Sequence, residues 1–144
     1  MLELIENFVR LRRALSLAHV QQLKPLGLGS KQAIILRALA KDGPCSAVEL
    51  ARATVSDPAA INRTVAGLIK KGLLRQRRDA DDGRRCRLSL TPGKGHRMAA
   101  KVLAQTRQLA DRAAKPLSPA ERQRFIHDLQ RLTEHLNAEL KGSR

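Results

Sequence analysis

The feature that most limits this chain is its punctuation between Pro25 and Pro92, where a helix start or stop falls every dozen residues or so. Pro25, Gly27 and Gly29 end whatever precedes them. Ser30 is placed as the N-cap of a helix that carries Ala33, Ile34, Leu36 and Leu39 to about Lys41, and Asp42-Gly43-Pro44 stops it. Ser46-Ala47-Val48-Glu49 is a capping box for a short helix with Leu50 and Ala51 facing inward. A turn at Thr54–Val55 leads to a further helix that starts at Ser56 or Asp57 with Pro58 in its first turn. Ile61, Val65, Leu68 and Ile69 form its apolar stripe, and Gly72 stands at its C-cap. Only small, tightly turned helices fit this pattern.

The flanks have a different rhythm. Residues 2–23 place Leu4, Phe8, Leu11, Leu15 and Ala18 on one helical stripe. After residue 72 come two strand candidates, about 73–78 and 85–90, joined by Asp79-Ala80-Asp81-Asp82-Gly83. In the second, Cys86, Leu88 and Leu90 share one face and Arg85, Arg87 and Ser89 the other. Thr91-Pro92 opens a long helix to about Ala114, with Gly93 and Gly95 weakening its first turn, and Pro116 ends it. Ser118-Pro119-Ala120-Glu121 is a second capping box, and Phe125, Leu129, Leu132, Leu136 and Leu140 stripe the last helix. The expected fold is mostly α with a small β-hairpin wing: a winged helix-turn-helix with long N- and C-terminal helices. One domain, 1–144, is expected, with the winged region at 28–92 and dimerisation helices at 2–23 and 93–140. Apolar stripes on the terminal helices exceed what so small a winged region can cover, so a homodimer is expected.

Charge selects the partner. Lys+Arg number 28 against 13 Asp+Glu, a net charge of +15 with a pI near 11.3, which calls for a polyanion. Two Phe with no Tyr or Trp leave nothing to stack single-stranded bases on, and little to anchor a membrane-surface helix. Double-stranded DNA, read through charge and groove contacts, fits best. No run approaches the ~18 apolar residues of a membrane span. The acidic start Met1-Leu2-Glu3 lacks the order of a signal peptide, and two Cys make no disulfide framework. A cytoplasmic, nucleoid-associated protein is the expectation.

A helix fits the major groove, where Asn pairs with adenine and Arg with guanine in bidentate fashion. The helix after the turn offers Ser56, Asp57, Ala60, Asn62 and Arg63 as candidate readers. The hairpin holds six arginines, Arg75, Arg77, Arg78, Arg84, Arg85 and Arg87, of which Arg75, Arg77, Arg84 and Arg85 are the candidate contacts to minor groove or backbone. Residues 57–101 carry a net +8, where an even spread of the total would put about +5.

These residues resemble the MarR/SlyA-type winged-helix transcriptional regulators, along nearly the whole chain. Leu28, Gln32, Leu36 and Leu39 are similar to the family's L-[ST]-x-x-Q-x-x-x-L-x-x-L, and Glu49-Leu50-Ala51 to its E-L-A. Lys70-Lys71-Gly72-Leu73-Leu74 is similar to K-K-G-L-[IV], Asp82-Gly83-Arg84 to the wing's D-x-R, and Leu90-Thr91-Pro92 to the closing L-T-P. The resemblance implies an obligate homodimer of intertwined terminal helices, acting as a repressor or activator at a pseudo-palindromic operator. It implies that Arg84 enters the minor groove while Asp82 orients it. It also implies a small aromatic effector bound between the dimer helices and the winged domain. Three positions depart from the pattern: Gly29 at the usual Ser/Thr cap, for which Ser30 can substitute; Gln76 where Arg is common; and Gly93 and Gly95 straddling the usual Gly, which loosens the wing-to-helix junction.

Other constellations lead nowhere chemical. Cys45 and Cys86 read as small hydrophobes, Cys86 on the apolar face of its strand. His19, His96, His127 and His135 lack ligand spacing, and Asp79, Asp81 and Asp82 lack the rest of a calcium loop. No cofactor, no metal and no catalytic motif is expected. The rival function is a nucleoid-type structural protein coating DNA without sequence preference; Ala59 and Ala60 would permit close approach without base reading.

Overall fold

The computed structural model describes residues 1–83 and 85–142. Among them the order is α1 (Leu2–Leu23), a 3-10 turn (Lys24–Leu26), α2 (Ser30–Asp42), α3 (Ala47–Ala53), α4 (Pro58–Lys70), β1 (Leu74–Arg78), β2 (Cys86–Leu90), α5 (Lys94–Ala113) and α6 (Pro119–Gly142). The chain divides into two compact units, residues 1–109 and the segment from Ala110 onward. In the first, one apolar cluster joins all the short elements: Leu23 from α1, Leu36 from α2, Leu50 from α3, Leu68 from α4, Leu74 and Leu88 from the strands, and Val102 from α5. In the second, α6 has no buried residue. This is the winged helix arrangement expected.

Both capping boxes close. The Ser46 hydroxyl accepts from the Glu49 N–H at 3.2 Å while Glu49 accepts from the Ser46 N–H at 2.7 Å. Ser118 and Glu121 repeat the exchange at 3.4 and 2.8 Å. These bonds satisfy N–H groups that a helix start would otherwise leave unpaired, and they hold both glutamates below the usual carboxylate range.

Several expectations need correction. Ser30 lies inside α2, and Gly29 is the N-cap. With no side chain of its own, Gly29 relies on Gln32, whose Oε1 accepts the Gly29 N–H at 3.3 Å. Ile69 is exposed, because the α4 stripe that meets the core is Ile61, Val65 and Leu68. Cys86 is also exposed. It shares a face with Leu88 and Leu90, but by Cys86 the strand has run past the body that buries them. Gly95 tightens the wing-to-helix junction. Its N–H donates to Thr91 Oγ1 at 2.9 Å, and an added Cβ would lie 2.3 Å from the Leu73 carbonyl oxygen.

Candidate nucleic-acid interface

The turn between α3 and α4 is set by a C-terminal cap. The Val55 N–H donates to the Arg52 carbonyl and the Ser56 N–H to the Ala51 carbonyl, the paired bonds that close a helix on a left-handed residue. That residue is Val55, with φ of 50°. The side chains around it turn inward. Thr54 donates to the Leu50 carbonyl at 2.7 Å, Ser56 donates to the Thr54 carbonyl at 3.1 Å, and Asp57 Oδ2 accepts from the Ala60 N–H at 3.0 Å as the cap of α4.

Beyond the cap, α4 buries Ile61, Val65 and Leu68. Ala59, Asn62, Arg63, Ala66 and Lys70 are exposed, and their spacing of three and four residues puts them on one side of the helix. Small residues at 59 and 66 flank the polar pair Asn62 and Arg63, whose side chains make no hydrogen bond to any described residue. The exposed face thus carries the hydrogen-bond donors of Asn62, Arg63 and Lys70.

The wing follows directly. β1 and β2 pair antiparallel with Leu74 opposite Leu90, Gln76 opposite Leu88, and Arg77 opposite Arg87. Alternation puts Leu74, Leu88 and Leu90 on the core face and Arg75, Arg77 and Arg87 on the other. Two arginines directly opposed repel each other. Arg87 is drawn aside: it donates to the Pro44 carbonyl at 2.6 Å and lies 3.5 Å from Asp79 Oδ2. Cys45 also exchanges backbone hydrogen bonds with Leu88, a bridge that adds a third edge to the sheet. A single bridging residue leaves no alternation to read in a sequence, so nothing in the pattern points to this anchor.

Comparison with known proteins bears on this geometry. Residues 26–85 match the model of the MarR family. No curated protein matches the chain. Among solved structures, a probable transcriptional regulator from Pseudomonas aeruginosa is 32% identical, covering 90% of this chain and 98% of its own, with a TM-score of 0.72. The chain belongs to the MarR family. Bordetella bronchiseptica BpsR, whose DNA binding is regulated by 6-hydroxynicotinic acid, is 25% identical over 89% of this chain and 91% of its own, with a TM-score of 0.78. A mutant of Escherichia coli MarR complexed with operator DNA shares the fold at 20% identity, covering 90% and 93% of the two chains, with a TM-score of 0.80.

Within this MarR-family frame the candidate residues separate. Asn62 and Arg63 stand exposed on α4, and Arg77 and Arg85 are exposed on the wing. Arg75 is half-buried, its Nε donating to Ser89 Oγ at 3.1 Å across the strands. Arg85 lies 3.3 Å from Asp82 Oδ2. Arg84, the arginine that the family motif singles out, falls outside the described residues. Ser56 and Ala60 are half-buried, and the Ser56 hydroxyl and Asp57 carboxylate have the internal partners given above. No described helix is long and apolar enough to cross a membrane.

Proposed function

We propose that this MarR-family regulator is a sequence-specific double-stranded DNA-binding protein, a homodimeric repressor at a pseudo-palindromic operator released by a small ligand. The observation that carries the reading is the exposed face of α4, where Asn62 and Arg63 have no partner among the described side chains and two alanines allow close approach. Arg63 pairs with a guanine, Asn62 with an adenine, and the wing arginines, Arg84 among them, meet backbone and minor groove. The residues from 28 to 92 act as the DNA-binding region. The helices at 2–23 and 93–140 build the dimer.

A small effector is supported by a cavity of about 280 Å³ lined by Ile34, Ile35, Ala60, Ile61 and Thr64, with Lys31 on one side and Thr54, Val55, Ser56 and Asp57 of the turn on the other. It lies between α2 and the start of α4, and its mixed lining, apolar walls with the Lys31 cation and the Asp57 carboxylate, suits a small aromatic compound bearing polar groups. Occupation there would bias the position of α4.

Selection of duplexes from a random pool by the full chain, followed by competition with long non-specific DNA, tests the reading. An inverted repeat is expected, bound more than ~10³-fold tighter than non-specific DNA. A ratio near unity supports the structural DNA-coating alternative instead.

A further inference from the structure

We propose that Val55 is a base-reading residue that packs against the C5-methyl of one thymine at the edge of each half-site; this rests on the DNA-binding reading above. Val55 is the one non-glycine at positive φ among the described residues. A β-branched side chain is the worst tolerated there, since Cβ crowds the neighbouring carbonyl, and glycine or asparagine would close the same cap without strain. Nothing inside the chain compensates: Val55 is 94% exposed. The strain therefore sits on an apolar side chain that no other part of the folded chain covers, at the open rim of the cavity described above.

Its position says where that side chain could be used. Val55 is two residues before the cap of α4, on the turn that would carry the helix into the groove. Thr54 and Ser56 have their hydroxyls engaged within the turn, and Asp57 gives its Oδ2 to the Ala60 N–H. The outward apolar chemistry of the turn is thus the two methyl groups of Val55, beside the exposed Asp57 carboxylate. On the major-groove edge of DNA the apolar group is the thymine C5-methyl, against which small apolar side chains pack.

The test uses an operator selected by the full-length protein, with each thymine replaced in turn by deoxyuridine, which removes the methyl and keeps every hydrogen-bonding group. Wild type and Val55→Gly are titrated against the whole series. For wild type, replacement of one thymine per half-site is expected to weaken binding about fourfold, the value of one buried methyl-sized group. In Val55→Gly the same replacement is expected to have no effect, and its Tm should equal or exceed that of wild type, because glycine relieves the left-handed cap. Identical deoxyuridine profiles for the two proteins would overturn the proposal, as would a uniform loss of affinity by Val55→Gly across the series, which marks a contact to backbone. If wild type does not prefer its selected duplex over a scrambled one, the DNA-reading function itself fails and Val55 with it.

Discussion

The Lys71 ammonium donates to the Gly27 carbonyl at 2.6 Å, joining the end of α4 to the turn that follows α1. The same nitrogen lies 3.0 Å from Gln32 Oε1, and Lys94 in turn donates to the Lys71 carbonyl at 2.7 Å. The far end of α4 is therefore tied to the turn before α2, to α2 itself and to α5. Lys71→Met keeps the aliphatic stem and removes the donor. It should cost about 1 kcal/mol in urea unfolding and weaken operator binding more than it weakens non-specific binding. An unchanged specificity ratio would show that this tie does not orient α4.

Two glycines should respond to Ala or Ser in opposite senses. An added Cβ on Gly95 would lie 2.3 Å from the Leu73 carbonyl oxygen and 2.7 Å from Thr91 Oγ1. Backbone cannot yield there as a flexible side chain would, so Gly95→Ala should destabilise by about 2–3 kcal/mol. Gly29 is extended and has open space around its α-carbon. Gly29→Ser adds the missing capping oxygen and should gain a few tenths of a kcal/mol. Thermal melts of the two variants, read against wild type, check both signs.

The same two positions show what a sequence reveals and what it hides. Capping boxes at Ser46 and Ser118 are legible because a local motif determines a local bond. The α4 stripe and the wing alternation are legible because burial follows backbone period. Gly95 reads in sequence as a weak point, since its reason for being glycine is the carbonyl of Leu73, distant along the chain. The Cys45–Leu88 bridge and the Arg87–Pro44 bond are hidden for the same reason: each joins segments far apart in sequence. At the candidate interface, Asn62 and Arg63 are legible from helical phase. The inward engagement of Ser56 and Asp57 and the left-handed conformation of Val55 are not, because the shape of the turn decides them.

Arg63→Ala should cost ~1–3 kcal/mol at the selected operator and relax preference at one position per half-site. Arg77→Ala should weaken all duplexes to a similar degree and make the salt dependence shallower by about one. Fluorescence anisotropy on selected and scrambled duplexes separates the two behaviours. If Arg63→Ala leaves the ratio between them unchanged, Arg63 does not read a base.

Stability should fall in two separate stages as pH drops. Burial, with the Arg37 guanidinium adding to it, pushes the His19 imidazole below its ordinary value. Its Nε2 has no hydrogen-bond partner among the described residues. The unfolded chain therefore takes up this proton first, and stability present above about pH 6.5 declines as pH falls below it. Glu49 and Glu121 are depressed by their capping hydrogen bonds, so their contributions persist to below about pH 4.5 and are lost there. Urea midpoints measured from about pH 8 to about pH 2 should show both declines, and His19→Gln should remove the upper one alone. An upper decline that survives in His19→Gln would assign it to another group.

Dimerisation is the most exacting expectation, because it must account for apolar surface on two separate units. On α1, Ile5, Val9 and Leu17 are 60%, 51% and 58% exposed; on α6, Leu136 and Leu140 are 57% and 69% exposed. Apolar stripes along helices of 22 and 24 residues are more than an isolated soluble chain usually leaves in water. A second copy supplies an identical stripe, and a two-fold axis makes each self-complementary. Light scattering at micromolar concentration should give twice the chain mass of 15.9 kDa. Removal of residues 118–144 deletes the α6 stripe and should leave a monomer with operator affinity reduced far more than its affinity for one half-site. Leu136→Glu offers the same test without truncation, since it puts a charge in the middle of the stripe. A monomeric mass for the intact chain, or dimers undisturbed by both changes, would refute the assignment of these helices to the dimer interface.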